Sequence, residues 1–129
     1  MREILFRGKK LNSDEWLYGD ILQINRDSYT LNDGLDSRSK VDERTISQYI
    51  GLKDTAGEKI FEFDIINFFK KDFNGFVDYS QNFLGVVEWD EYYCCWLVNG
   101  IKCGVFKFGV DIALESINVV GNIFDNCNF

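Results

Sequence analysis

The stretch RTISQYIGLKDTAGEKIFEFDIIN, residues 44–67, decides the fold. Its two segments rich in β-branched and aromatic residues, 45–53 and 58–63, predict strands. The connection between them is Asp54-Thr55-Ala56-Gly57, and its final glycine tolerates the positive φ that hairpin loops need. An aliphatic run follows the second strand. The stretch therefore predicts an antiparallel hairpin around which the other strands are arranged.

Short segments of strand character, separated by turn signals, continue on both sides of this hairpin. Residues 36–44 are charged and contain serine, which predicts a solvated loop, and residues 110–115 predict a short helical turn. The pattern indicates a mostly β protein, whose short antiparallel strands close into a small barrel or barrels with at most one or two short helical turns. Outside the hairpin, the predicted strands span residues 3–7, 16–25, 29–31, 84–89, 92–98, 101–108 and 117–124.

The Asn99-Gly100 pair is a strong signal for a two-residue hairpin turn between the fifth and sixth of these strands. Direct pairing across it would place Val98 opposite Ile101 and Trp96 opposite Cys103. Aromatic and aliphatic cross-strand pairs of this kind stabilise a sheet. They need no functional explanation.

Length and composition indicate one packed domain in the cytoplasm. The 129 residues predict a single domain, residues 1–129, or two small β subdomains that share a core. The formal net charge of −7 argues against a general duplex-binding surface, because neutralising phosphates needs a clustered excess of Lys and Arg. No apolar run approaches the length of a membrane span, and the first residues are too short in apolar content for a signal peptide.

The cysteines and the lack of histidine restrict the possible chemistry. Cys94, Cys95, Cys103 and Cys127 include no Cys-x-x-Cys pair, so we expect free, reduced and mostly buried thiols, as suits a cytosolic protein. Without histidine, zinc would need an all-Cys or Cys/carboxylate set from this poor spacing. The commonest general base and the Ser-His and Cys-His nucleophile pairs are also missing. We therefore expect no enzyme activity and no cofactor.

Acidic residues are the remaining route to catalysis, since paired carboxylates act in acid–base chemistry or bind divalent cations. Glu62 and Asp64 are two residues apart and would share one face of a strand; Asp20, Glu88 and Asp90 are the other candidates. The same spacing arises on any strand that faces water, and turns favour Asp. A carboxylate-based, metal-dependent enzyme is therefore the least favoured function, and Asp64 is expected to cap a turn.

Four pieces of the chain occur in a recognisable order: REILFRGKKL with WLYGDIL, then TISQYIGLKDTAGEKIFEFDII, GVVEWD and INVVGNIFDN. In these pieces, which span residues 2–126, the sequence resembles the YopX family of small phage and prophage proteins. The resemblance implies a mostly β fold with an SH3-like barrel component and a bacterial cytoplasmic setting. It leaves room for a homo-oligomer and implies no known activity.

Two features depart from the family pattern. The chain has Glu62-Phe63-Asp64 where the family usually has Glu-Gly-Asp, and glycine permits a φ that Phe resists. The local turn is therefore expected to differ. The chain ends on Asn126-Cys127-Asn128-Phe129, whereas the family's ending typically runs Asn-Pro-Glu-Leu.

Residues 68–82 break the strand pattern and predict a long loop or an irregular hairpin. Long loops in compact domains are often functional, so this segment is the first place to look for a specific contact. Its basic and aromatic side chains are the candidate partner contacts. They are Lys70, Lys71, Phe73, Phe76 and Tyr79.

The favoured function is a non-enzymatic interaction or assembly module encoded by a phage or prophage, whose partner is a second copy or an unknown bacterial or phage protein. One alternative is a β-barrel that binds single-stranded nucleic acid by stacking bases on aromatic side chains. Another is an acidic inhibitor of a basic host protein. A second aromatic cluster is better explained by core packing than by stacking. It comprises Trp89, Tyr92, Tyr93 and Trp96.

Overall fold

A computed structural model describes residues 2–25, 28–32 and 38–125, and between residues 21 and 39 it describes only the backbone of the strands. The described residues form eleven β-strands and two short 3-10 helices. Each described pairing between strands is antiparallel. The predicted mostly β fold of short antiparallel strands is therefore confirmed. Closure into a small barrel, with its SH3-like component, stays a prediction.

By their contacts, the residues divide into two compact units, Met1–Gly51 and Leu52–Phe129. In the first unit the hydrogen-bonded strand order is β4-β3-β2-β1-β5. The predicted strand Trp16–Asn25 is observed with the same bounds. The strands are β1 (Phe6–Lys9), β2 (Trp16–Asn25), β3 (Ser28–Asn32), β4 (Arg38–Val41) and β5 (Ser47–Lys53).

The prediction of a solvated loop over residues 36–44 is wrong for the central part of this segment. Arg38–Val41 forms β4, which pairs with β3 from Tyr29↔Val41 to Asn32↔Arg38. The ladder supplies partners for the backbone polar groups, and Val41 is buried. Backbone pairing and one buried apolar residue therefore stabilise a strand here. The charged composition of the segment had indicated a loop.

A capped 3-10 helix, Glu43–Thr45, connects β4 to β5. The Asp42 carboxylate accepts the Arg44 backbone N–H at 3.1 Å and pairs with its guanidinium at 2.9 Å. The side-chain and backbone hydrogen bonds from Arg44 lower the pKa of Asp42. Thr45 Oγ1 accepts the backbone N–H of Lys9 at 2.8 Å, which attaches β1 to this helix.

In the second unit a five-stranded sheet has the order β10-β9-β8-β7-β11. The last residues of β5 also belong to this unit, and the predicted turn connects them to β6. In this turn Asp54 N donates to Glu58 O at 2.8 Å, and Gly57 has φ +82°. The organising hairpin is therefore confirmed. The strands are β6 (Lys59–Phe61), β7 (Asp64–Lys71), β8 (Val77–Asp90), β9 (Cys95–Gly100), β10 (Gly104–Lys107) and β11 (Asn118–Asn122).

One face of this sheet carries a cluster of core side chains of the second unit. Val98 pairs with Val87 on one side and with Phe106 on the other, so the three side chains share that face, and all three are buried. The Phe68 ring contacts the Phe106 ring edge-on at 5.2 Å between centroids. The predicted helical turn at residues 110–115 occurs as a 3-10 helix slightly later, Leu114–Ser116.

The predicted Asn99-Gly100 turn is wrong. β9 continues through both residues, residues 101–103 make the turn, and Val98 lies opposite Phe106 instead of Ile101. The predicted pair of Trp96 and Cys103 is also wrong, because Cys103 lies in this turn; Trp96 pairs with Trp89 of β8 on the other side of β9. Gly100 is needed because a Cβ there would stand 2.7 Å from Cε2 of the Phe106 ring. The glycine permits a close approach within the sheet and does not form the turn.

Three cysteines are free, as predicted, but they are not mostly buried: Cys94 and Cys103 are exposed, and Cys95 is half-buried. Both exposed thiols lie in turns, at residues 91–94 and 101–103, where neither sheet face covers them. Cys127 lies outside the described residues, as does the ending that departs from the family pattern. Among the residues that the structure describes, no helix is long and apolar enough to cross a membrane.

Candidate functional site

The segment predicted as a long loop or irregular hairpin, residues 68–82, is an irregular hairpin formed by β7 and the first half of β8. The register runs regularly to Phe69↔Asn82 and then jumps to Lys70↔Asp78. Three residues of β8, 79–81, therefore have no counterpart on β7. A bulge of this kind re-aims side chains at the end of a hairpin.

A five-residue turn, Asp72-Phe73-Asn74-Gly75-Phe76, closes this hairpin. Asp72 Oδ1 accepts the backbone N–H groups of Asn74 and Phe76, each at 2.9 Å. Asp72 N donates to Phe76 O at 2.6 Å, and Gly75 has φ +84°. Side chain, backbone and glycine thus fix one turn geometry.

The turn between β5 and β6 has the same construction. Asp54 Oδ1 accepts the N–H groups of Ala56 and Glu58 at 2.9 Å. In that turn the second residue is Thr55, whose N–H donates to Ile117 O at 2.9 Å and whose hydroxyl donates to Asn118. The second residue of this Asp-x-x-Gly-x turn is therefore bonded to residues 117 and 118 of the same chain. The other turn holds Phe73 at the same position.

Phe73, Phe76 and Tyr79 together form what we call the aromatic hairpin end. Phe73 is fully exposed, at 106% of its reference area, and Phe76 and Tyr79 are each 71% exposed. The Tyr79 ring keeps one contact, edge-on to Phe69 at 5.1 Å. The structure thus brings the three predicted aromatic contacts to one end of one hairpin, on the solvent side.

The two predicted basic contacts are already engaged within the second unit. Lys70 Nζ lies 5.5 Å from the centroid of the Phe83 ring, and Lys71 Nζ donates to Gly109 O at 3.1 Å. Near them, hydrogen bonds from Ser80 and, to a smaller extent, the charge of Lys70 lower the pKa of Asp78. Asp78 is therefore an anion beside the aromatic rings at neutral pH.

The second aromatic cluster contradicts the expectation of core packing. Tyr92, Tyr93 and Trp89 are exposed, and only Trp96 is half-buried, with its ring 5.0 Å from that of Trp89. The residues predicted to begin a strand at Tyr92 instead form a turn, residues 91–94, in which Asp90 Oδ1 accepts the N–H groups of Tyr92 and Tyr93. Asp90, two residues before Tyr92, is the sequence signal for this turn.

The predicted carboxylate pair does not share a strand face. Glu62 lies in a turn, whereas Asp64 begins β7, is buried and accepts the Phe61 N–H at 2.8 Å through Oδ2. The expectation that Asp64 caps a turn is confirmed. Asp20 belongs to the first unit, and Glu88 and Asp90 to β8. The described parts of the chain hold no group of three or more His, Cys, Asp or Glu side chains able to bind a metal ion.

Phe63, between these two acidic residues, has φ +70°, a conformation that glycine adopts more readily, and the expected difference from the family's turn stays a prediction. Its N–H donates to Val87 O at 2.7 Å, and its ring packs edge-on against Phe124 at 5.6 Å. These contacts offset the cost of a left-handed conformation at a residue with a Cβ.

Together these features define a class: a small, mostly antiparallel β protein that displays aromatic side chains on aspartate-fixed turns. The chain matches the YopX protein family over residues 5–129 and belongs to that family. The resemblance seen in the four sequence pieces is thereby confirmed. No curated protein matches the chain.

Proposed function

We propose that the protein is a non-enzymatic interaction or assembly module of phage or prophage origin, which acts in the bacterial cytoplasm and contacts a protein partner through the aromatic hairpin end. The observation that carries the proposal is the full exposure of Phe73 on a turn held by Asp72 and Gly75. The partner is a second copy of the chain or another bacterial or phage protein.

The energetics of this surface favour a partner. A single exposed apolar residue is ordinary, but three exposed aromatic side chains at one hairpin end are a concentration of apolar surface of the kind found at interaction sites. Burying one phenylalanine side chain contributes about 2 kcal/mol to association. Because the backbone of the turn is already fixed, binding does not have to order it, and affinity rises through this preorganisation.

The charges beside the rings favour protein over nucleic acid. Stacking proteins place their aromatic platforms in a positively charged groove. Here Asp72 and Asp78 lie next to the aromatic side chains, while Lys70 and Lys71 contact the Phe83 ring and the Gly109 carbonyl. Carboxylates at these positions repel phosphates. The proposal includes no catalytic role for Glu62 and Asp64, since the Asp64 carboxylate is used to hold the turn before β7.

Photo-crosslinking tests the proposal. A photoreactive phenylalanine analogue replaces Phe76, and the protein is irradiated in a bacterial lysate and in purified form. We expect a cross-linked species that mass spectrometry identifies, either as a second copy, seen also with the purified protein, or as one specific protein from the lysate.

The same analogue at Ile4, an exposed apolar residue of the first unit, is the matched control. It reports proteins that collide with any exposed side chain. A cross-link specific to position 76 supports the proposal. Identical patterns from positions 76 and 4 would contradict it.

A further inference from the structure

A second exposed surface lies at the other end of β8. This strand has 14 residues and spans about 40 Å, so its two ends present separate surfaces. We call the second surface the acidic aromatic turn. It consists of the exposed turn residues Glu91, Tyr92 and Tyr93 and of Glu88, Trp89 and Asp90 at the adjoining end of β8.

The backbone of this turn is fixed from within. Asp90 Oδ1 accepts the Tyr92 N–H at 2.8 Å and the Tyr93 N–H at 3.3 Å. The two tyrosine rings then meet edge to face, with centroids 4.8 Å apart and planes at 84°. Tyr92 remains 85% exposed. Its ring is therefore oriented by its neighbour and open to a ligand.

One ring of this surface already binds a cation of the same unit. Lys107 Nζ lies 4.9 Å from the centroid of the Tyr93 ring. Within the described ranges, no cationic group stands over the Tyr92 ring and no ion pair involves Glu88, Asp90 or Glu91. The surface therefore offers an open aromatic ring, Tyr92, next in sequence to Glu91, whose carboxylate forms no ion pair with the described residues.

We infer that the acidic aromatic turn binds an arginine-rich segment of a partner protein. A guanidinium group stacks on the Tyr92 ring and pairs with the Glu91 carboxylate. Arginine fits better than lysine because its planar group stacks on aromatic faces, is more weakly hydrated and forms two parallel hydrogen bonds to a carboxylate. An acidic segment would be repelled by the carboxylates of this turn. The protein's net charge of −7 speeds the approach of a cationic segment.

Fluorescence anisotropy with a short labelled peptide of alternating arginine and glycine tests this inference. We expect binding that weakens as salt rises, and none for the same peptide with glutamate in place of arginine. Tyr92→Ala should weaken binding about fivefold, whereas Tyr92→Phe, which keeps the aromatic face, should bind like the wild type. Affinity unchanged in Tyr92→Ala would overturn the inference.

Two matched controls separate this site from diffuse attraction and from the aromatic hairpin end. Glu91→Gln and Glu115→Gln remove the same charge from exposed positions, and only the first should weaken binding. Equal losses from both would overturn the inference. Tyr79→Ala removes an exposed tyrosine at the opposite end of β8 and should leave peptide binding unchanged. The result is therefore independent of the proposal for the hairpin end.

Discussion

Replacement of Asp54 by alanine is expected to lower the free energy of unfolding by about 3 kcal/mol. The carboxylate accepts three backbone N–H groups: those of Ala56 and Glu58 through Oδ1 at 2.9 Å, and that of Val119 through Oδ2 at 3.0 Å. Hydrogen bonds to a charged acceptor are stronger than neutral ones. The bond to Val119 also connects the turn to β11, so its loss affects the edge of the five-stranded sheet.

Asp72→Ala is the matched control, because Asp72 accepts only the two N–H groups within its own turn. Those groups lie in an exposed turn, where water replaces the lost acceptor, and we expect a loss of about 1 kcal/mol. Urea unfolding followed by tryptophan fluorescence measures both variants. Equal losses would show that the bond between Asp54 and Val119 contributes nothing to stability.

Gly85→Ala should be about as damaging, with a loss of about 3 kcal/mol from overpacking. A Cβ at position 85 would stand 2.4 Å from Cγ1 of Val98 and 3.0 Å from the backbone oxygen of Asn99. Val98 is fully buried and cannot turn away. Gly85 lies opposite Gly100, which in turn lies opposite Gly104, so a row of glycines crosses three strands. Side chains at Gly85 and Gly100 would force the strands apart.

Gly104→Ala provides the comparison for this clash. Gly104 has φ +95° and nothing within 4 Å of a built Cβ, so alanine there meets only backbone strain, at a cost of about 1 kcal/mol. Thermal unfolding followed by circular dichroism compares the two variants. The packing account fails if Gly85→Ala proves no more destabilising than Gly104→Ala.

Features held by local side-chain to backbone bonds could be predicted from the sequence. The turn at Asp54–Gly57 was predicted from its residues, because an aspartate and a glycine three positions later define it chemically. The turn that displays Phe73 carries the same Asp-x-x-Gly signature, so comparing the two segments would have found it. The break in the strand pattern over residues 68–82 agrees with the exposure of Phe73, Phe76 and Tyr79, and their role as partner contacts stays a prediction.

Features set by a partner strand could not be predicted in the same way. Gly100 looks like a turn residue in isolation, and only the Phe106 ring packed over it explains its place inside β9. Arg38–Val41 becomes a strand because β3 pairs with it. Tyr92 and Tyr93 have the composition of a strand, yet the hydrogen bonds from their N–H groups to Asp90 place them in a turn. In the first two cases a tertiary contact overrides local propensity, whereas Asp90 acts locally and its aspartate is visible in the sequence.

The central claim is that the aromatic hairpin end binds a partner and does not serve the fold. Its most direct test is the effect of Phe73→Ser on the photo-cross-link from position 76, measured beside the urea midpoint of the same variant. Since Phe73 is fully exposed, we predict at least about a tenfold loss of cross-link yield with an unchanged midpoint. An unchanged yield, or a yield that falls only together with stability, would contradict the claim.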